Sequence, residues 1–241
     1  MLFLIKRDKN DGEKELFKKQ RWKALDLLII FLSIDIFLIV LNYVARENMG
    51  LYAFINEFYV YIMYIFICFL LIILFEVRIK QGIKLLGFEK TNYKKNIFLG
   101  IITGCIGFIM VNYVVIHYMN VILGNPHNNL AYPIEELRKQ RSLSGYFFFY
   151  FTVLLMGPFI EEVIYRGLLY SPYRRKFNSY YTAILITSVF FAVSHFGINT
   201  IPNFFVGITF CLLYEKTESL IATIIAHSSY NFLSIVSVFL A

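Results

Sequence analysis

Charge is scarce in this chain. Only 16% of its 241 residues are Asp, Glu, Lys or Arg, where a soluble domain carries about 25%, so there is no room for a sizeable soluble domain. Cysteine is scarce too. Cys68, Cys105 and Cys211 each lie inside an apolar run with no CxxC spacing, which fits neither a disulfide framework nor a thiolate metal site and suits small buried side chains. An HExxH string, an internal repeat and a low-complexity linker are all lacking. The apolar start Met1–Ile5 is too short for a signal-peptide core, and no small-residue cleavage site follows the first long apolar run, so an uncleaved chain is expected.

Apolar residues are abundant instead: 59% hydrophobic, 19% aromatic, mean hydropathy +0.64. A span needs about 20 apolar residues to cross roughly 30 Å of hydrocarbon. The runs that qualify are 24–44, 58–75, 97–119, 145–165, 180–196, 201–214 and 220–240, the sixth being short. The expected fold is therefore all-α, a polytopic membrane bundle of about seven transmembrane helices, and the chain reads as one integral membrane domain over 1–241. Trp22 stands at the start of the first span, where an aromatic belt places it.

The net charge of +7 does not point to nucleic acid, because the basic residues gather in a few loops without aromatic interleaving. They read as topology signals. The N-terminal arm, the second loop (Arg78 to Lys95), the fourth (Arg174, Arg175, Lys176) and the sixth (Lys216) are basic. The alternate loops hold only Arg46 and the trio Arg138, Lys139, Arg141. This bias puts the N-terminus in the cytoplasm and the protein in the cell membrane as a multi-pass chain. Richness in Ile, Phe, Lys, Asn and Tyr suits a bacterial plasma membrane. Residues 76–95 have the character of a short interfacial helix before Gly87, and Pro133 marks the start of another in the loop 124–144.

Ionisable groups at membrane depth are costly and mark function by default. Three strings carry them: Glu161-Glu162-Val163-Ile164-Tyr165-Arg166-Gly167, Phe191-Ala192-Val193-Ser194-His195 and His227-Ser228-Ser229-Tyr230-Asn231. On a helix Glu162 and Arg166 are i,i+4 neighbours and can pair, while Glu161 points about 100° away and is free for another task. The bland alternative is a polar helix end snorkelling to the interface. His195 alone reads as a hydrogen-bonded structural residue or as a functional imidazole. His227 and Asn231 share one helix face, fit either to stabilise an oxyanion or to act as interhelical polar glue.

Together these strings resemble the CPBP family of intramembrane proteases, which includes the type II CAAX prenyl endopeptidase, bacterial Abi proteins and lysostaphin-resistance-A-like proteins. The stretch 203–227, with Gly207 and Thr217, is similar to a further motif of that family, and the resemblance covers a catalytic core of about 145–235. It implies an endopeptidase acting on a membrane-associated peptide or protein, in bacteria for peptide processing or bacteriocin self-immunity. By resemblance, Glu161 is the base that activates a water, His195 holds that water, His227 and Asn231 form the oxyanion hole, and Glu162 with Arg166 order the site. No cofactor is favoured. Zinc or another divalent ion on Glu161, His195 and His227 is the alternative, although Asn231 is a poor zinc ligand.

The spans pose one geometric problem. Counted from the basic ends of the expected spans, Glu161 and His227 lie about 12 Å deep and His195 about 23 Å, so either the His195 helix tilts strongly or the segment 171–179 sits below the interface. Pro158 is expected to kink its helix and free backbone carbonyls near the glutamates. Asp35, mid-span, reads as an internal hydrogen-bonding group ahead of an ion-coupling one, and His117 and His127 as non-catalytic. Two rivals to an enzyme remain: a membrane scaffold regulating a sensor kinase or cell-wall enzyme, and a transporter, for which no inverted repeat speaks.

Overall fold

The computed structural model describes residues 86–88, 92–123, 143–195 and 200–240, with scattered positions between 33 and 70. The expected spans 24–44 and 58–75 lie almost wholly outside these residues, as do Trp22, Asp35, Cys68, His127 and the proposed helix after Pro133; of the proposed interfacial helix 76–95 only 86–88 and 92–95 are described, the first in a turn and the second opening the helix Tyr93–Ile109. Every regular element among the described residues is helical.

Five helices make up the described body. α1 covers 93–123 as Tyr93–Ile109, a π-helical Met110–Val115 and Ile116–Leu123. α2 covers 143–177, with π-helical stretches at Thr152–Met156 and Val163–Tyr170. α3 is Tyr180–Val193, α4 is Thr200–Thr217 and α5 is Leu220–Leu240. Three stretches are long and apolar enough to cross a membrane: Tyr93–Met119, Tyr146–Phe177 and Leu220–Ser237. Their outward side chains fit lipid rather than water: Ile106, Tyr113, Leu155 and Phe232 are all exposed.

The termini match the sequence pattern except in α2, which does not stop near 165. It runs on through Arg174, Arg175 and Lys176 to Phe177. Asn178 then turns the chain in the left-handed region at φ 45°, and the Ser179 hydroxyl caps α3 by accepting from the Thr182 backbone N–H. This extension removes the depth problem. From the turn, Glu161 lies about 24 Å back along α2 and His195 about 23 Å along α3, at 1.5 Å per residue. The two side chains meet at one level without a steep tilt, because the segment 171–179 projects past the neighbouring α4–α5 turn.

That second turn is pinned from several sides. Ser219 N–H donates to Thr217 Oγ1, Ala222 N–H to Ser219 Oγ, and Leu220 N–H to the carbonyl of Gly87. Gly87 has φ 90°, and a Cβ there would strike the Glu218 carbonyl; only glycine fits. Tyr214 donates to Leu86 O, which fastens 86–88 under the turn. Nearby, the Glu215 carboxylate accepts from Tyr170 at 2.6 Å and from Arg174 Nε at 3.4 Å. Every Lys and Arg among the described residues except Arg166 lies at this end of the bundle: Lys94, Lys95, Arg174, Arg175, Lys176 and Lys216.

α1 lies along α5, and their contact depends on small residues. A Cβ on Gly100 would come within 2.6 Å of the Ala222 carbonyl, and one on Gly104 within 2.5 Å of the Ala226 carbonyl. The Gly-x3-Gly and Ala-x3-Ala spacings therefore face each other in parallel, letting backbones touch where lipid offers no hydrophobic drive to associate. α3 packs on α4 in the same manner, with Gly207 against Ser188.

Gly104→Val should force α1 off α5 and lower stability by about 1–3 kcal/mol, seen as a lower Tm of the detergent-solubilised protein. Gly107→Ala, whose Cβ would meet Thr209 and Tyr230 at 3.8 Å, should leave Tm unchanged. Equal Tm values for both variants and the parent would contradict this packing.

Candidate active site

Glu162 is fully buried, and so is Arg166 one turn later. Arg166 Nη1 donates to Glu162 Oε1 at 2.8 Å, and Nη2 donates to the Gly207 carbonyl on α4 at 3.2 Å. The guanidinium lies over the rings of Phe191, 4.7 Å from its centroid, and Phe210, at 5.4 Å. Cation–π contact adds to pairing in a desolvated site. The glutamate string is thus an internal anchor, not a helix end snorkelling to the interface.

The same Glu162 oxygen accepts a second hydrogen bond, from His227 Nδ1 on α5 at 2.9 Å. His227 is buried between the rings of Phe191 and Phe210. A carboxylate acceptor fixes the proton on Nδ1, so Nε2 faces away from Glu162 and towards Glu161. His195 reaches the same place from α3. It stands just past the helix end, where the last carbonyls lack helical partners. Its Nδ1 lies 2.7 Å from the Phe191 carbonyl, an acceptor, so its Nε2 also faces Glu161.

Glu161 Oε2 lies 3.6 Å from His195 Nε2 and 3.9 Å from His227 Nε2. These are ion-pair distances but too long for hydrogen bonds, and this oxygen is buried without a hydrogen-bond partner. A buried carboxylate oxygen lacking a partner is costly, and a water capping the two imidazoles and the carboxylate would satisfy all three. The adjacent glutamates therefore do different things: Glu162 is held through Oε1 by Arg166 and His227, with its Oε2 buried and lacking a hydrogen-bond partner, whereas Glu161 turns its Oε2 to the two imidazoles.

Asn231 is one turn beyond His227, but its Nδ2 donates across to the Val153 carbonyl on α2 at 2.9 Å. Glu161, His195, His227 and Asn231 all line a cavity of about 250 Å³. Its remaining wall comes from Thr152, Val153, Gly157 and Pro158 on α2, Pro202, Asn203 and Val206 on α4, Tyr230 and Ser234 on α5, and Asn112 and Ile116 on α1. On α1, α2, α4 and α5 the lining residues lie on the side of the glutamates away from the basic end. Among the described residues, Glu161 is the only charged side chain apart from the imidazoles to line it. His117 is exposed, outside this cavity.

Sequence reasoning missed several contributors. Phe191 and Phe210 cover both the Arg166 guanidinium and the His227 ring. The backbone carbonyls of Gly207 and Phe191 hold Arg166 and His195. Main-chain acceptors leave no residue signature, though Gly207 stood in a matched motif.

The donor set of two Nδ1-tethered imidazoles and a carboxylate is of a kind that metals use. The atoms do not gather as ligands, however: among the described residues no three His, Cys, Asp or Glu side chains are arranged to hold a metal ion.

Residues 143–233 match the family model described as type II CAAX prenyl endopeptidase Rce1-like. This stretch is of the CPBP family. The CPBP segment contains both glutamates, Arg166, both imidazoles and Asn231. The chain is also similar to a protein of Bacillus subtilis (strain 168) named "Putative membrane peptidase YdiL", 31% identical over 78 residues. That similarity covers 32% of this chain and 32% of the relative, so the chain spans about a third of that relative's length. No solved structure matches.

Arg166→Met would strand the Glu162 carboxylate in the bundle interior. Removing one partner of a buried pair costs about 3–5 kcal/mol, so Arg166→Met should express poorly or unfold at a much lower temperature in detergent. Glu161→Gln should keep the parent's Tm, because Oε2 has no partner to lose. A Glu161→Gln protein as unstable as Arg166→Met would contradict the division between the two carboxylates.

Proposed function

We propose that this chain is an intramembrane endopeptidase that cleaves a peptide bond in a membrane-associated peptide or protein, using Glu161 as general base. The observation that carries the proposal is the buried, unpartnered Glu161 oxygen facing two imidazole Nε2 atoms whose other nitrogens are tethered. The match of 143–233 to a CAAX-type protease family supports the same reading.

The chemistry follows from the donors and acceptors. A water beneath the scissile carbonyl gives one hydrogen to Glu161 Oε2 and the other to the His195 Nε2 lone pair, which aims its own lone pair at the carbonyl carbon. Glu161 takes the proton as the C–O bond forms. His227 keeps Nδ1–H on Glu162 and turns its Nε2 edge, the one facing Glu161, towards the oxyanion that forms. When the intermediate collapses, Glu161 returns its proton to the departing amine and the C–N bond breaks. Glu162 and Arg166 hold His227 in place throughout. No step is routed through a metal.

The substrate segment is an uncharged one. The cavity wall beyond Glu161 offers amides, hydroxyls and apolar surface, with no fixed charge to pair with Lys, Arg, Asp or Glu. In a bacterial membrane, peptide processing or self-immunity against a membrane-active peptide suits such a site.

The test is terminal-peptide mass spectrometry on membranes from cells expressing the parent or Glu161→Gln at equal levels. New peptide termini dependent on the parent should fall by about 10²-fold or more with Glu161→Gln, the scale of general-base catalysis. Termini and cellular phenotype that persist unchanged would remove the protease reading and favour a non-catalytic scaffold.

A further inference from the structure

We infer that Asn231 is a positioning residue whose side-chain amide replaces the backbone donor that Pro158 cannot supply, fixing the π-helical bulge that aims the two glutamates.

Hydrogen-bond accounting on α2 leads to this. In an α-helix the Val153 carbonyl takes the N–H of residue 157. Here Gly157 N–H is turned to the Thr152 carbonyl, one residue further back, the i→i−5 pattern of a π-bulge. In that register the natural donor to Val153 O is the N–H of residue 158. Residue 158 is proline and has none. The Val153 carbonyl is therefore stranded at membrane depth, where every backbone polar group must find a partner within the protein. Asn231 Nδ2, 2.9 Å away on α5, is that partner.

The consequence reaches the site through geometry. The bulge ends at Met156, two residues before Pro158, and Glu161 and Glu162 follow within the next turn. His227, one turn before Asn231 on the same face of α5, is bonded to Glu162. Two hydrogen bonds from one helix face thus clamp α2 on both sides of Glu161: Val153 on one side, Glu162 on the other. One of the two Nδ2 hydrogens is engaged by the helix itself, and it is through that hydrogen that Asn231 positions α2. The inference concerns the positioning of the proposed site, but its test does not depend on proteolysis.

The experiment compares the parent, Asn231→Ala, Asn231→Asp, Pro158→Ala and Asn231→Ala/Pro158→Ala as full-length protein in detergent. Two quantities are read: Tm, and the rate at which the hydrophobic carboxyl reagent dicyclohexylcarbodiimide labels Glu161, followed by peptide mass spectrometry. Asn231→Ala should lower Tm by about 2–8 °C, as expected for a buried carbonyl left unpaired, and change Glu161 labelling severalfold. Asn231→Asp, similar in shape but without the donor, should do the same. Pro158→Ala restores an N–H in register with Val153 O, so the double variant should regain both the Tm and the labelling rate of Pro158→Ala alone. Asn231 variants that leave Tm and Glu161 labelling untouched would overturn the inference. So would a double variant as impaired as Asn231→Ala. If Pro158→Ala does not fold, the Tm and labelling of Asn231→Asp decide alone.

Discussion

A carboxylate with no access to water must find its partners inside the protein, and Glu162 finds two of them at its Oε1. One of its oxygens takes hydrogen bonds from Arg166 and from His227. Arg166 in turn holds the Gly207 carbonyl. Through this single carboxyl group α2, α4 and α5 are tied together, and two aromatic rings close over the tie. α3 is held by different means, with Gly207 packed on Ser188 and Phe191 contributing both a ring to Arg166 and a carbonyl to His195. An ion pair of this kind is poor evidence for stability as such. Its value here is specificity: one rotation of α2 brings Glu162 Oε1 to both Arg166 and His227, and that rotation puts Glu161 beside the two imidazoles.

The engagement of one glutamate by Arg166 and His227 and the turning of its neighbour towards the cavity are two results of one helical turn. Adjacent residues on a helix differ by about 100°. Glu162 faces the anchor and Glu161 faces the cavity. Both imidazoles are oriented by acceptors at Nδ1, one a carboxylate and one a backbone carbonyl at a helix end, so their Nε2 atoms face the same carboxylate oxygen. Preorganisation of this sort lets groups act on developing charge without first having to move.

Much of this was legible in the sequence. The limits of α1, α3, α4 and α5 follow the apolar runs closely, because at membrane depth every backbone polar group must find its partner within a helix. The i,i+4 pairing of Glu162 with Arg166, the divergence of Glu161 and the kink-prone Pro158 could be read from spacing alone. The length of α2 could not: Arg174, Arg175 and Lys176 look like a loop, yet they form its last turn, with Arg174 paired to Glu215 from another helix. Nor could the small-residue seam between α1 and α5 be assigned its partner without a third dimension, although Gly100 and Gly104 display the spacing. The donor role of Asn231 towards a main-chain carbonyl was hidden for a deeper reason, since it depends on a helix register that only the fold reveals.

The central claim is that Glu162, and not Glu161, holds His227. Solid-state NMR of the protein in lipid bilayers, with labelled histidine nitrogens and glutamate carboxyl carbons, measures this directly. The account predicts protonated Nδ1 atoms on both His195 and His227 and a strong dipolar contact between His227 Nδ1 and the Glu162 carboxyl carbon. A His227 whose Nδ1 contacts the Glu161 carboxyl instead, or neither glutamate, would contradict it.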